Sequence, residues 1–196
     1  MKHTLIFATS NHNKVKEIRG LLPSNFDVKS LADIGFDEDI PETSPTIHEN
    51  AIQKAKYLFE RLHLPCFAED TGLEVKALNG EPGIYSARYA GADRNPEKNM
   101  EKLLSKLKGT NDRSARFKTV IAYIDDQGSV STFEGIVIGT IISEKRGKMG
   151  FGYDPIFIPD GFDQSFAQMT LAQKANISHR SRALKKFLAQ IAPSNQ

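Results

Sequence analysis

Two adjacent acids at the end of a short apolar run are the residues of this sequence best suited to do chemistry. The run Cys66-Phe67-Ala68 leads directly into Glu69 and Asp70, and Thr71-Gly72 follows. This order predicts a strand that ends in functional residues. Because neighbouring side chains of a strand point to opposite faces, the two acids are not expected to share a pocket unless the strand breaks there. We therefore expect one of them, Asp70, to be the functional acid.

A polar turn near the start of the sequence is a candidate phosphate site. The apolar run 5–8 predicts a buried parallel strand, and residues 9–14 lead from it into a helical pattern. Such a turn presents backbone N–H groups at a helix N-terminus, where the dipole favours anions, and Lys14 would add a positive charge. The spacing does not match a Walker A loop. A capped turn with solvated lysines explains the same residues, so both interpretations stay open here.

An acidic loop and the helix after it form a second candidate region. Acids are concentrated between residues 33 and 42, and Glu42 is the last of them. Such a loop is commonly solvated surface, but it could also bind Mg²⁺, which prefers oxygen ligands and often takes only one or two from protein. Residues 46–49 predict a helix start, and the apolar positions that follow predict a helix packed on the sheet. Lys54 falls off that apolar stripe, and we expect it in solvent.

A glycine-rich aromatic segment is a candidate surface for binding a ring. The glycines on both sides of Phe151 leave its face accessible, as stacking against a base requires. Asp154 could accept hydrogen bonds from ring N–H groups. A turn with one aromatic anchor in the core explains the same pattern.

The last predicted helix begins with two basic side chains. Ser178 is suited to cap this helix, which puts His179 and Arg180 at its positive end. Cations are disfavoured there, so the arrangement favours an anionic or carbonyl-rich ligand nearby.

Length and composition indicate a soluble protein with one substantial core. The sequence has 196 residues, and its net charge of +2 is too small to indicate a nucleic-acid partner by itself. Cys66 is the single cysteine of the sequence, which excludes an internal disulfide and fits a reducing cytoplasm. The first apolar run is too short for a signal peptide or a membrane span. We expect a cytoplasmic protein with no membrane partner and no nucleic-acid partner.

Several short motifs follow one another along nearly the whole chain. They are Thr9-Ser10-Asn11-x-x-Lys14, Asp70-Thr71-Gly72-Leu73, Pro82-Gly83-Ile84-Tyr85-Ser86-Ala87-Arg88-Tyr89, Phe151-Gly152-Tyr153-Asp154-Pro155-Ile156-Phe157 and Ser178-His179-Arg180. In this order they resemble the motifs of the inosine triphosphate pyrophosphatase family, also called the non-canonical purine nucleoside triphosphatases. The order is far more specific than any single motif.

The resemblance implies a fold and an activity. The fold would be α/β, with a long mixed central sheet flanked by helices. Residues 1–196 would form a single domain with two lobes and an active-site cleft between them. The protein would be a homodimer whose substrate is a small-molecule nucleoside triphosphate. It would hydrolyse ITP, dITP and XTP to the monophosphate and pyrophosphate, using Mg²⁺ as its cofactor.

The resemblance also implies roles for individual residues. Asp70 would be the proton acceptor and a metal ligand, and Glu42 the second metal carboxylate, with Glu49 as the fallback. The phosphates would be held by Thr9, Ser10, Asn11, His12, Asn13 and Lys14. The substrate would also contact Thr71, Phe151, Gly152, Tyr153, Asp154, Lys174, His179 and Arg180. One departure from the family pattern is Gln168, where a Glu is usual, and it concerns the local support of Lys174.

The mechanism inferred from these roles is attack of water on the α-phosphorus, assisted by Asp70 as base or metal ligand. Donors such as Arg180 or backbone N–H groups would bind the 6-carbonyl of ITP and reject the 6-amino group of ATP. Two alternatives remain at this point. One is a pyrophosphatase for pyrimidine or modified nucleotides, and the other is a non-catalytic module that binds nucleotides or nucleic acid.

Overall fold

The chain, described for residues 2–191 by a computed structural model, is built around one mixed sheet. The strands are β1 (His3–Phe7), β2 (Phe26–Ser30), β3 (Cys66–Val75), β4 (Ser114–Ile124), β5 (Val130–Ile141) and β6 (Phe157–Pro159). Their order in the sheet is β2-β1-β3-β4-β5-β6. β1 runs parallel to both β2 and β3, whereas β5 and β6 are antiparallel. The predicted α/β fold with a mixed central sheet is confirmed.

The helices agree with the apolar stripes of the sequence, including the stripe of Met100, Leu103, Leu104 and Leu107 that predicts a helix after Asn95-Pro96, with one exception. The α-helices of the described residues are α1 (His12–Leu21), α2 (Ile47–Leu62), α3 (Pro96–Lys106), α4 (Leu171–Ile177) and α5 (His179–Ile191). The sequence patterns missed α4 and the short strand β6. α4 has 7 residues, too few for an apolar stripe to repeat. Its start is nevertheless marked by a capping box, in which Thr170 accepts from the backbone N–H of Gln173.

The end of β3 differs from the prediction. Apolar and charged residues alternate from 73 to 78, a pattern that by itself predicts a half-exposed strand over that range, but β3 ends at Val75 and Lys76–Leu78 form a 3₁₀ turn. Asn79 and Gly80 both adopt left-handed backbone conformations, with φ of 53° and 89°. The N–H of Gly80 then donates to the carbonyl of Val75 at 3.0 Å and closes the turn. Turn chemistry at Asn-Gly therefore overrides the strand pattern.

The β-branched and aromatic runs at 117–124 and 130–142 predict a long antiparallel hairpin, and the structure confirms it. β4 and β5 are neighbours in the sheet, and residues 125–129 connect them. The Asp125 carboxylate accepts from the backbone N–H groups of Gln127 and Ser129 at 3.0 and 2.8 Å. Gly128 supplies the positive φ of 80° that this turn needs.

The described residues divide into two compact units. The first consists of residues 2–70, 119–135 and 180–191, and the second of residues 71–118 and 136–179. The core of the first unit packs α1 and α5 on the sheet, with the rings of Phe7 and Phe67 stacked at 4.4 Å between centroids. The core of the second unit joins α3 to strand residues such as Phe117 and Phe157, whose rings meet edge to face at 4.8 Å.

Within residues 2–191, no helix combines the length and the apolar character that a membrane span requires.

Candidate functional site

Asp70 lies on the face of the sheet that α2 covers. Alternation along β3 places Cys66 and Asp70 on the same side of the strand. The Cys66 Sγ lies 3.5 Å from the carbonyl oxygen of Ala55 in α2, and the Asp70 Oδ1 lies 3.1 Å from the Nζ of Lys54 in the same helix. Cys66 and Asp70 are four residues apart on β3, so their side chains point to the same face, and both of them contact α2.

Glu69 lies on the opposite face, with Phe67. The ring of Phe67 packs on Phe187 of α5 at 5.2 Å, and the Glu69 carboxylate accepts from Arg180 at the start of that helix. β3 continues without a break through both acids to Val75, so the prediction that the strand ends at them was wrong. The two acids therefore reach different partners, as the alternation of a strand requires.

A buried ammonium group joins Asp70 to Glu42. Lys54 Nζ donates to Glu42 Oε1 at 2.7 Å and to Asp70 Oδ1 at 3.1 Å. Lys54 is only 5% exposed, so the expectation that it lies in solvent was wrong. Burial opposes its positive charge, but the Asp70 and Glu42 carboxylates outweigh burial and raise the pKa of Lys54. The side chain that falls off the apolar stripe of α2 is thus held by charge.

The loop that carries Glu42 is tied to α2. The side-chain oxygens of Gln53 and Asn50 accept from the backbone N–H groups of Thr43 and Ser44, each at 3.0 Å. With Lys54, these α2 side chains occupy positions i, i+3 and i+4, which lie on one side of a helix. That side of α2 therefore positions the end of the acidic loop.

The carboxylates of Glu42 and Asp70 fit the donor set of Mg²⁺. Residues 2–191 contain no group of three or more His, Cys, Asp or Glu side chains arranged to hold a metal. Mg²⁺ commonly takes only one or two protein carboxylates, and substrate phosphates and water supply the rest. Glu42 and Asp70 already converge on one cation, the Lys54 ammonium. Glu49, the fallback ligand, instead accepts from the Thr46 hydroxyl at 2.8 Å at the start of α2.

The turn before α1 is capped by its own side chains. Asn11 Oδ1 accepts from the backbone N–H groups of Asn13 and Lys14 at 3.0 and 3.2 Å, and Thr9 Oγ1 accepts from the N–H of Asn11 at 3.2 Å. Ser10, Asn11, His12 and Asn13 are exposed. The capped-turn interpretation is therefore correct for this backbone, but Lys14 is not a solvated lysine. Phosphate binding by residues 9–14 stays a prediction.

Lys14 is the partly exposed member of a group of four charges, in which Glu17, Glu69 and Arg180 are buried. Its Nζ lies 3.2 Å from Glu69 Oε1, and the Lys14 side chain is 15% exposed. Arg180 donates to the two Glu69 oxygens at 2.7 and 2.8 Å and also binds Glu17 of α1. Burial lowers the pKa of Lys14, although the charge of Glu69 opposes that effect. Burial also disfavours the Glu69 carboxylate, but Arg180 and Lys14 outweigh it and hold the pKa of Glu69 well below its usual range.

Arg180 has a structural role that the sequence motifs did not predict. It is 1% exposed, and each nitrogen of its guanidinium binds a carboxylate oxygen of Glu69 or Glu17. Sequence reasoning gave neither acid a role. One signal existed, because Glu69 follows an apolar run expected in a buried strand, where a carboxylate needs a partner. Substrate contact by Arg180 stays a prediction.

In the second unit, Asp154 and Lys174 form a buried ion pair beneath an aromatic loop. Lys174 Nζ donates to Asp154 Oδ2 at 2.6 Å, and the same oxygen accepts from the backbone N–H of Phe151 at 2.8 Å. Asp154 and Lys174 are 3% and 4% exposed. The Lys174 ammonium also lies 5.3 Å from the ring centroids of both Phe151 and Phe166, within the range of a cation–π contact. The Asp154 carboxylate thus fixes the backbone of the Phe151 loop.

Gly150 is needed for this close approach. It has φ of 73°, and a Cβ at this position would collide with the Asp154 carboxylate. Gly152 also has a positive φ, 63°, but a Cβ there would meet open space. Of the two glycines beside Phe151, Gly150 therefore serves packing as well as backbone conformation.

The remaining predicted residues of this unit lie in its core or at its edge. His179 stacks on Phe117 with 4.8 Å between centroids and an angle of 23°. The buried Tyr153 donates its hydroxyl to the carbonyl of Ser86 at 3.0 Å, and burial raises the pKa of that hydroxyl. Thr71 lies on β3 and is partly buried. Substrate contact by His179, Tyr153 and Thr71 stays a prediction.

Gln168 caps a short 3₁₀ turn. Its side-chain oxygen accepts from the N–H of Ser165 at 3.0 Å, in a capping box over Phe166–Gln168. A glutamate supplies the same acceptor in this box. The departure from the family pattern therefore preserves local structure.

Comparison with known proteins gives matches over nearly the whole chain. A dITP/XTP pyrophosphatase of Christiangramia forsetii is 52% identical over 188 residues, which cover 96% of this chain and 98% of that protein. A dITP/XTP pyrophosphatase of Bacillus subtilis is 48% identical over 190 residues, covering 95% of this chain and 96% of that protein. The solved structure of the Staphylococcus aureus Ham1 protein has a TM-score of 0.87 at 41% identity, covering 96% of this chain and 97% of that one.

The family expected from the ordered motifs is also confirmed by a family model. Residues 5–190 match the model of the Ham1 family. The chain belongs to the Ham1 family.

Proposed function

We propose that this protein hydrolyses non-canonical purine nucleoside triphosphates, namely ITP, dITP and XTP, to the nucleoside monophosphate and pyrophosphate. This activity removes such nucleotides from the pool. Relatives that share about half of their residues with this chain over nearly its full length are named dITP/XTP pyrophosphatase. The geometry of the chain supports the same chemistry.

One observation carries the proposal. Carboxylates from a loop and from a strand, Glu42 and Asp70, converge on a single buried cation at 2.7 and 3.1 Å. Two converging carboxylates next to a lysine suit a triphosphate with its bound metal, because such a substrate brings both negative phosphates and a cation that needs oxygen ligands. A structural ion pair would need only one carboxylate.

Each group of residues has a separate role in the proposed reaction. Asp70 accepts the proton of the attacking water, and the Lys54 ammonium at 3.1 Å keeps its carboxylate in place. Lys14 and Lys54 offset negative charge on the phosphates. In the second unit, the face of Phe151 stacks on the purine, and the Asp154–Lys174 pair fixes the loop that carries it.

Glu42 and Asp70 would hold the magnesium ion. When bound, Mg²⁺ supplies positive charge that offsets the charge on the pyrophosphate leaving group. The donor set supports this role, because both ligands are hard carboxylate oxygens.

The test is a panel of triphosphates. Purified protein is incubated with Mg²⁺ and with ITP, dITP, XTP, ATP, GTP or dUTP, and pyrophosphate and orthophosphate are measured separately. We expect pyrophosphate from ITP, dITP and XTP at rates orders of magnitude above those for ATP, because a site that binds the 6-carbonyl through hydrogen-bond donors would leave those donors unpaired against a 6-amino group.

Other results of the panel would overturn the proposal. Release of orthophosphate would exclude attack at the α-phosphorus. Preference for dUTP would favour a pyrophosphatase of pyrimidine nucleotides. No hydrolysis of any triphosphate, together with strongly salt-dependent binding to single strands, would favour a nucleic-acid-binding module.

We further propose that the enzyme is a cytoplasmic homodimer. Ile138 and Phe162 are 60% and 46% exposed, and the backbone N–H of Asp160 donates to the carbonyl of Ile138 at 3.0 Å, which brings these apolar side chains to one edge of the sheet. Exposed apolar side chains at a sheet edge are suited to a subunit contact. Analytical ultracentrifugation of the parent protein and of the Ile138→Lys variant measures the oligomeric state. A monomeric parent protein would contradict the proposed homodimer.

A further inference from the structure

Glu69 is the central group of the buried charges in the first unit. Its two oxygens accept from Arg180, and one of them also lies 3.2 Å from the Lys14 ammonium. Its side chain is fully buried, although it sits next to Asp70 in the sequence. A carboxylate is costly in such a place unless cations and hydrogen bonds surround it. The buried Glu69 carboxylate therefore depends on its two cationic partners, Arg180 and Lys14.

Arg180 fixes the orientation of the Glu69 carboxylate. The guanidinium binds both carboxylate oxygens as a planar fork, at 2.7 and 2.8 Å, a geometry that sets the plane as well as the distance. The third nitrogen of Arg180 binds Glu17. Glu17 and Lys14 are three residues apart on α1, so the network starts and ends on the same helix.

This arrangement restrains the flexible side chain of Lys14. A lysine side chain has four rotatable bonds and a compact positive charge, and it loses much conformational freedom when an ion pair restrains it. The Glu69 carboxylate restrains the Lys14 ammonium near the N-terminus of α1. An ammonium has three N–H donors, so Lys14 can bind Glu69 and a phosphate oxygen at the same time.

We infer that Glu69 is a positioning residue, which holds the Lys14 ammonium where the triphosphate binds, while Arg180 holds Glu69. This inference rests on the proposed function, because that function supplies the triphosphate. A carboxylate that served only to neutralise Arg180 would not need its contact with Lys14.

The test compares Glu69→Gln with a matched control on the same strand. Glu74 of β3 also pairs with an arginine, Arg116, at 2.5 Å, and both residues belong to the second unit. Binding of tripolyphosphate is measured by calorimetry and binding of inosine by ligand-observed NMR. Tripolyphosphate probes the phosphate groups alone, and inosine probes the base and sugar alone.

We expect Glu69→Gln to weaken tripolyphosphate binding by about tenfold or more, as the loss of one hydrogen bond to a charged group predicts. Inosine binding should stay within twofold of the parent protein. Glu74→Gln should change neither. Equal weakening for both probes, or unchanged tripolyphosphate binding, would overturn the inference, because the carboxylate would then serve the fold as a whole or nothing at the phosphates.

A second variant covers the loss of a buried charge. If Glu69→Gln does not fold, Glu69→Asp keeps the negative charge and withdraws it by one methylene, and the same selective loss of tripolyphosphate binding is expected. In a Lys14→Met background, the substitution at position 69 should cause no further loss. A further loss of equal size there would show that Glu69 does not act through Lys14.

The outcome is separable from that of the proposed function. Both binding measurements need no turnover. A parent protein that releases no pyrophosphate from ITP would overturn the proposed function alone, whereas the selective loss of tripolyphosphate binding decides the role of Glu69.

Discussion

The two units of the chain hold their functional candidates in different ways. In the first unit, charged groups form chains of alternating sign, Lys54 between two carboxylates and Glu69 between two cations. In the second unit, one ion pair, Asp154 with Lys174, lies among aromatic rings.

In the proposed function, this difference corresponds to two kinds of ligand chemistry. Phosphates and a metal ion are recognised by charge, which acts over distance and tolerates small displacements. A purine is recognised by a flat surface and a few directed hydrogen bonds, which need an exact backbone position. By that proposal, the first unit supplies charged side chains for the phosphates, and the second supplies the Phe151 loop, whose backbone N–H donates to Asp154 at 2.8 Å. Four substitutions test this contrast.

The largest effect is expected in the charged unit, from Asp70→Asn. Loss of the proton acceptor should lower kcat for ITP by about 10²–10⁴-fold. Folding should be intact, because Glu42 still binds Lys54 at 2.7 Å. Pyrophosphate release measures the first effect and circular dichroism the second. Asp112→Asn is the matched control, since Asp112 pairs with Lys76 on the surface at 3.1 Å. Near-normal turnover by Asp70→Asn would rule out its catalytic role.

In the aromatic unit, Lys174→Met should lower stability the most among these four substitutions. Removal of one partner from a buried ion pair costs about 3–5 kcal/mol, and Asp154 would lose the ammonium at 2.6 Å. Urea denaturation measures the loss. The double variant with Asp154→Asn should recover part of it, because the buried negative charge is gone. Additive losses in the double variant would show that the two side chains do not act as a pair.

Phe151→Ala should separate base recognition from phosphate recognition. Loss of stacking costs about 1–3 kcal/mol per base, which corresponds to a rise of about 5- to 150-fold in KM for ITP. Tripolyphosphate binding should not change, because Phe151 offers no charge. Phe151→Trp keeps a stacking face and serves as the control. If tripolyphosphate binding fell in step with ITP binding, the division of chemistry between the units would be wrong.

Gly150→Ala affects stability only, and it tests the exact backbone position. A side chain at φ of 73° is strained, and its Cβ also meets the Asp154 carboxylate. We expect a loss of about 2–3 kcal/mol in the free energy of unfolding. Gly161→Ala is the control, because Gly161 has φ of 85° with nothing near the added Cβ, and it should lose about 1 kcal/mol. Equal losses at both positions would remove the packing role of Gly150.

Much of the fold followed from sequence patterns. Apolar stripes predicted α1, α2, α3 and α5, and β-branched runs predicted the hairpin of β4 and β5. The patterns were less useful where an element is short, as for α4, or where turn residues interrupt an alternation, as at Asn79. Local signals in such segments are outweighed by packing and turn geometry.

The candidate site was predicted only in part. Motif order identified Asp70, Lys14 and the Phe151 segment as candidates, and strand parity separated Asp70 from Glu69. The apolar stripe of α2 wrongly predicted Lys54 in solvent, and no pattern predicted a role for Glu69 or Glu17. Lys54 and Glu69 are nevertheless among the most buried charges of the first unit. The reason is that each of these side chains is defined by partners from distant parts of the chain.

The sequence by itself sets the types and the order of the residues. It also determined on which side of each strand or helix a residue lies, because that side depends on local periodicity. Only the tertiary structure decided which charges meet. Arg180 and Glu69 are separated by 111 residues, and a buried ion pair forms only when the fold brings its partners within hydrogen-bond distance. The family motifs could be found from the sequence, but the network that positions Lys14 required the structure.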